Sequence, residues 1–572
     1  MPCASKLKAL RSRDLSPPIK HHMVAKKFAP RHFLLLAVVL LVAGCTKVQT
    51  SIGSGHTANP WTIHGVLRVG SYEDLDSLNP LLSTQLFVSD VSQMIFSGLI
   101  DYDDHANPVP DVALEVPTQT NGGISKDGKT ITYHLRHGVK FSDGAPLTSA
   151  DVKYTWQQIM NPNNNLAYRY PYDQVTSIDT PDAATVVVHL KAPLAVFVAA
   201  FMRNGVVGSI LPKHLLEQYS DLNRIPFNTK PIGSGPFVVA SWEPGTLLTL
   251  RANPLYWRGL PKLHEVLYRI IPSQNTLLTD VLGHDVDLYY DAPEVQYATL
   301  TRLAGYRVTH VPSMTYEHID FNTARPPFND VRMRQAAAYA IDWQALASHV
   351  YFGLDKPGIG DTPPFSWAYD PSILPYPHDL AKARALLRSA GWAPDASGML
   401  VRNGQPLRID IATVAGVTSR EKAEELIQQN LHDVGITVDI HNYPANLLFA
   451  TYGGGGILAH GKFDLSLYAW TLTYPDPDDT VTLGPDEIPP KGENYTFYAD
   501  PQIGAWQQAG QLQYARGARR PYYVLIQQRI HAALPFHTIV WRSNIDVVNT
   551  DLVNFKPVPA VSDFWNSWEW QI

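Results

Sequence analysis

Short apolar runs and amphipathic stretches alternate along most of this 572-residue chain, and their spacing predicts an α/β protein. Gly65-Val66-Leu67-Arg68-Val69-Gly70 predicts a short strand, Asp76-Ser77-Leu78-Asn79-Pro80 a loop, and the residues from about Ser89 an amphipathic helix. Lys129 to Leu135 alternates with a period of two. Thr148-Ser149-Ala150-Asp151 matches a capping box ahead of a helix over Val152 to Met160. The clearest unit lies further on. Leu407 to Thr413 reads as a strand, Ser419 to Val434 as a helix with Leu426, Ile427 and Leu431 on one face, Gly435 as its stop, and Ile436 to Ile440 as the next strand. That order makes a βαβ unit and a parallel strand pair. No solenoid-length repeat occurs, and the glycine run Gly453 to Gly456 is expected to be a mobile loop.

One apolar run differs from the rest. Phe33 to Val42 is unbroken, follows Lys26, Lys27 and Arg31, and is too short to cross a bilayer of ~30 Å, so it reads as the core of a secretory signal peptide. Met23 is expected to be the true start. Val42-Ala43-Gly44-Cys45 resembles a bacterial lipobox, which implies cleavage before Cys45 and lipidation of that residue. Residues 46–60, rich in Ser, Thr and Gly, read as a tether.

Composition then narrows the class. Length beyond ~300 residues favours two or three lobes. Charged residues are only 17% and hydrophobic ones 45%, which suits a globular exported chain. Removing residues 1–44 takes eight Lys/Arg and one Asp, leaving 38 basic and 51 acidic side chains, a formal net of −13 that argues against nucleic acid as a partner. Cys3 is the only other cysteine, so no disulfide is expected in the mature chain.

Enzyme signatures fail on inspection. No Gly-x-Ser-x-Gly elbow occurs. Gly456 to Lys462 imitates a phosphate loop, but Phe463 stands where a Ser or Thr would hold Mg²⁺. His264-Glu265 begins a zincin pattern that Tyr268 breaks. His318 and His537 read as satisfied polar residues rather than metal ligands. No catalytic residue, cofactor or metal is expected, and an exported hydrolase is the least supported class.

Several separated segments carry a family resemblance. They are Asp127-Gly128-Lys129-Thr130 through Phe141-Ser142-Asp143-Gly144 to Leu147-Thr148-Ser149-Ala150-Asp151-Val152; Gly233-Ser234-Gly235-Pro236-Phe237; Asn253-Pro254-Leu255-Tyr256-Trp257; Phe321-Asn322-Thr323 with Val331-Arg332-Met333-Arg334-Gln335-Ala336; and Trp470 with Asp476-Pro477-Asp478-Asp479. In this order they resemble family 5 of the extracellular solute-binding proteins, which serve peptide, dipeptide, oligopeptide and nickel ABC importers. The resemblance implies the large, peptide-binding class of the type II two-lobed periplasmic-binding-protein fold, with a two-strand hinge. The implied layout is 61–98, 226–313 and 536–572 for lobe I, an inserted domain over 99–225, and 314–535 for lobe II. The crossings are expected near Thr315 to Phe321 and Pro535 to Trp541.

The same resemblance implies the site. A ligand backbone would pair in strand fashion with Thr84-Gln85-Leu86 and with Ala469-Trp470-Thr471. Thr473 occupies the position where peptide-binding relatives place an aspartate against the ligand ammonium, so unmodified free-amine peptides are expected to bind weakly. Tyr474 and Asp476 are further candidates. Asp476 either substitutes as the anchor or serves, with Asp478 and Asp479, as turn and helix cap. The expected role is an extracytoplasmic receptor, a monomer held to a membrane through the Cys45 lipid, delivering a peptide-like solute to a separate permease and ATPase. A nickel chelate, an oligosaccharide or a pure sensing role remain the alternatives.

Overall fold

A computed structural model describes residues 58–83, 85–103, 107–166, 169–203, 208–472, 476–558 and 562–572, and residues 58–572 form one contact unit. The first expected strand is β1 (Val66–Ser71). The helix after it, α1 (Leu86–Ile95), starts three residues earlier than the pattern suggests and is not one-sided: every residue from Phe87 to Ile95 is buried, Ser89, Asp90, Ser92 and Gln93 included. Its polar face is covered by other parts of the chain, as where the Tyr290 hydroxyl donates to Asp90 Oδ2 at 2.5 Å.

Between β1 and β2 (Phe237–Glu243) the chain builds a separate antiparallel sheet from Thr130–His134, Val175–Asp182 and Thr185–Leu190, packed on α2 (Ser149–Met160). The backbone N–H of Thr148 donates to Asp151 Oδ2 at 2.8 Å, one half of the expected box and worth about 1 kcal/mol as a cap. The chain then continues through β3 (Leu247–Ala252), β4 (Glu265–Ile270), β5 (Leu288–Tyr289) and the 16-residue β6 (Tyr306–Phe321). After α3 (Val331–Ala340) come β7 (Arg408–Val414), α4 (Thr418–His432) and β8 (Thr437–Tyr443). β7 and β8 are parallel from Arg408 opposite Thr437 to Val414 opposite Tyr443, so the predicted βαβ unit is present within a few residues. Gly435, between α4 and β8, stands at φ +91°, a value glycine adopts without penalty. β9 (Leu465–Thr471), α5 (Pro501–Gln511), α6 (Arg516–Ala533) and the 14-residue β10 (Phe536–Asn549) complete the frame.

The main sheet runs β8-β7-β9-β6-β10-β5-β1-β4-β3-β2. β6 and β10 lie at its centre and feed two cores. Ile319, Phe321, Ile539 and Val540 pack into the core that holds α3, α4, β7 and β9, called lobe II here. At their other ends, Val548 joins the large core around β1, α1 and β4, and Tyr306, Ile545 and Val547 join a smaller cluster beside it; these make lobe I. The β6/β10 ladder runs from Tyr306 opposite Asn549 to Pro312 opposite Ser543, breaks over residues 313–315, and resumes at Tyr316 opposite Trp541. Such a bulge bends and twists a strand pair where it leaves one packing layer for another.

The glycine run is not a loose loop. Tyr452–Gly454 forms a 3₁₀ turn, Tyr452 stacks on His460 at 4.1 Å, and a Cβ on Gly456 would lie 1.7 Å from the Ala450 carbonyl oxygen. Its glycines permit close backbone approach. Among the described residues no helix is long and apolar enough to cross a membrane.

Candidate functional site

β9 is buried over Leu465 to Tyr468, and its last three residues, Ala469, Trp470 and Thr471, are part-exposed. They pair with Glu317, Tyr316 and Thr315 of β6, and the Thr315 and Thr471 hydroxyls meet at 2.9 Å. The Trp470 ring packs between two apolar clusters, one containing Tyr316 and Leu483, the other Tyr468 and Tyr495. In lobe I, Gln85 is the extended residue preceding α1 and Leu86 the first residue of that helix, so neither continues a strand. Thr84, Thr473, Tyr474 and Cys45 lie outside the described residues.

The aspartates after Trp470 are each engaged. Asp476 accepts two hydrogen bonds from Arg519 of α6, at 2.5 and 2.6 Å, and this pairing uses both its oxygens. Asp478 accepts from the Tyr170 hydroxyl at 2.7 Å and from Thr480. Asp479 accepts from Gln507 of α5 at 2.8 Å, and burial beside Asp361 pushes its carboxyl well above the usual range. Tyr170 belongs to the segment between β1 and β2, so its bond to Asp478 ties that segment to lobe II. Two further contacts do the same: the Tyr514 hydroxyl donates to the Gly128 carbonyl at 2.7 Å, and the Val196 N–H donates to Gln511 Oε1 at 3.1 Å.

Where the strands cross, charge is arranged in a chain. Glu317 of β6 accepts two hydrogen bonds from Arg420 of α4, at 2.9 and 3.0 Å, and lies 4.0 Å from Arg542 of β10. Arg542 also reaches Asp291 at 3.4 Å and Glu294 at 3.5 Å on the lobe I side. Burial works to raise the Glu317 carboxyl, but the two guanidiniums outweigh it and hold it below the usual range. Glu73, facing the same region, is pushed up to about 7 by burial and by Asp291.

Tyr316, His318 and Asp320 share one face of β6, as the period of two requires, and line a small cavity with Trp470, Glu493 and Phe536. His318 Nε2 lies 3.4 Å from Asp320 Oδ1, and Tyr468 donates to Asp320 Oδ2 at 2.5 Å. His537 instead stacks on Trp343 at 3.8 Å, buried, its pKa pushed down to about 3 by burial and His531. Glu317, Arg420, Arg542 and Glu493 were not found from sequence. Their only signal is a charged residue inside an otherwise apolar strand or helix.

Comparison with known proteins settles what this frame is. The profile of bacterial extracellular solute-binding proteins, family 5, middle region, matches residues 107–484, well over half of the chain. The chain is a family 5 extracellular solute-binding protein. Among family 5 relatives, it is 26% identical to the oligopeptide-binding protein AppA of Bacillus subtilis over 94% of this chain and 97% of that protein. It is 29% identical to the glutathione-binding protein GsiB of Salmonella choleraesuis over 77% of this chain and 81% of that one. The fold matches AppA of B. subtilis in complex with a nonapeptide, with a TM-score of 0.78 at 25% identity, covering 88% of this chain and 98% of that one. It also matches NikZ of Campylobacter jejuni in complex with Ni(L-His), with a TM-score of 0.79 at 23% identity, covering 89% and 100%. The two-lobed mixed α/β fold expected from the motifs is therefore the fold of this family 5 chain.

Proposed function

We propose that this chain captures a peptide or peptide-like solute between its lobes and delivers it to a separate ABC permease and ATPase, without turnover. The observation that carries the reading is the pair of strands β6 and β10, which alternate between the two cores and break register at residues 313–315. A two-strand link of this kind permits rigid-body closure around a ligand. Tyr170–Asp478 and Tyr514–Gly128 are then closing contacts between the inserted segment and lobe II. The part-exposed end of β9 offers strand edges and an indole face to an extended ligand. The peptide and glutathione binders among the relatives support this class of cargo.

Calorimetry on the chain from residue 46 onward, titrated with a peptide library, tests the reading. Binding without hydrolysis is expected, with Trp470→Ala weakening it at least ten-fold, about 1.4 kcal/mol. Catalytic turnover that vanishes on replacing one Ser or His would refute it. Cys45 is the proposed lipid attachment point. Cys45→Ser is expected to release the protein from membranes, and retention in the membrane fraction would contradict that assignment.

A further inference from the structure

The cavity beside Trp470 holds about 10 Å³ of space for the centre of a water-sized sphere, room for one small group. Its wall is acidic and aromatic. Asp320 and Glu493 supply carboxylates, Tyr468 and Tyr495 supply rings and hydroxyls, and among the described residues no Lys or Arg lines it. His318 is 3% exposed and, with Nε2 facing Asp320, leaves Nδ1 without a partner. With the ring proton on Nε2 toward Asp320, Nδ1 accepts a hydrogen bond from any donor that enters the cavity. The Glu493 carboxylate has one side-chain donor among the described residues, the Tyr495 hydroxyl at 3.3 Å. Behind the wall, Asp361 is 5% exposed with Oδ2 unpartnered, and it sits beside the buried Asp479. Burial also holds the Glu493 carboxyl at about 7, the behaviour of an acid that lacks a counter-charge.

From this geometry we propose that the cavity takes a primary alkylammonium group of the solute, seated between Glu493, Asp320 and His318 Nδ1 with Trp470 at its side. The inference rests on the solute-binding reading and names the chemical class of the cargo. An –NH₃⁺ group matches a water in size and brings three donors to a set of acceptors. A planar guanidinium is larger than the single water-sized group that the space admits. With no carboxylate at Thr473, the chain would then meet the solute's positive charge at Glu493 and Asp320. Two sources of the group exist in a peptide, the α-amine and a lysine-type side chain.

The test is calorimetry with four tripeptides on the chain from residue 46, which contains the contact unit of residues 58–572: N-acetyl-Ala-Lys-Ala, N-acetyl-Ala-norleucine-Ala, N-acetyl-Ala-Arg-Ala and free-amine Ala-norleucine-Ala. At least a ten-fold advantage for the Lys peptide over the N-acetylated norleucine peptide assigns the side-chain ammonium. The same advantage for the free-amine peptide assigns the α-ammonium. Glu493→Gln is expected to bring the favoured peptide down to the affinity of the N-acetylated norleucine peptide. Should that variant fail to fold by thermal melting, the wild-type comparison still decides. Equal affinity for charged and uncharged peptides, or a preference for Arg over Lys, overturns the proposal while leaving peptide binding intact. Failure of every peptide to bind overturns the function reading itself.

Discussion

Two groups of buried carboxylates lie along the crossing strands and behave in opposite ways. In the crossing network Glu317 has Arg420 at 2.9 Å and Arg542 at 4.0 Å, and it stays ionised. Beneath lobe I, Asp90, Asp546 and Asp563 are equally buried, but their hydrogen-bond partners are neutral: the Tyr290 hydroxyl, the Thr309 hydroxyl and the Asn544 amide. Burial pushes Asp90 and Asp546 up to about 7 and Asp563 well above the usual range. Burial alone therefore does not decide the charge of an acid here. At Glu317 it is outweighed by two guanidiniums, Arg420 and Arg542.

The comparison breaks most visibly if the cation is removed. Arg420→Met leaves Glu317 buried with only the more distant Arg542, and an unfolding free energy lower by about 3–5 kcal/mol is expected in urea denaturation. A loss below about 1 kcal/mol would mean that Arg542 alone neutralises the site.

The pH dependence sharpens the contrast. Asp90 and Asp546 keep protons when folded that they release when unfolded, so their contribution is complete below about pH 4 and is lost as pH rises through about 7. The slope is at most about 1.4 kcal/mol per pH unit for each proton retained. Glu317, held low, has the opposite sign: its contribution is present above the ordinary carboxyl range and fails only in stronger acid. The melting temperature should therefore fall between about pH 4 and pH 7, and Asp546→Asn should flatten that fall while leaving the limb below pH 4 unchanged. The groups facing Asp546 are Asp291, Asp90, Asp563 and Arg307, so Asp291→Asn is the control for their mutual repulsion. An unaltered slope in Asp546→Asn would assign the titration elsewhere.

Local chemistry made much of the frame readable. The βαβ unit at residues 408–443 was legible because period, cap and stop agree over one continuous stretch, and the Thr148–Asp151 contact because it spans three residues. The start and burial of α1 were not, since its polar residue Asp90 meets partners some 200 to 470 positions away, Tyr290 and Ser562. The Gly453–Gly456 run misled for a related reason: glycine signals freedom and close approach equally, and only the neighbouring Ala450 carbonyl shows which applies.

What the amino-acid order by itself determined is the first strand, the βαβ unit and the membership in family 5, because each depends on residues within a few turns or on motifs read in order. Tertiary structure alone decided the charges. Glu317, Arg420 and Arg542 are joined over separations of 103 and more residues, and Asp476 meets Arg519 across 43. Whether a buried carboxylate is a strut or a proton carrier depends on the balance between burial and the cations that folding brings near it.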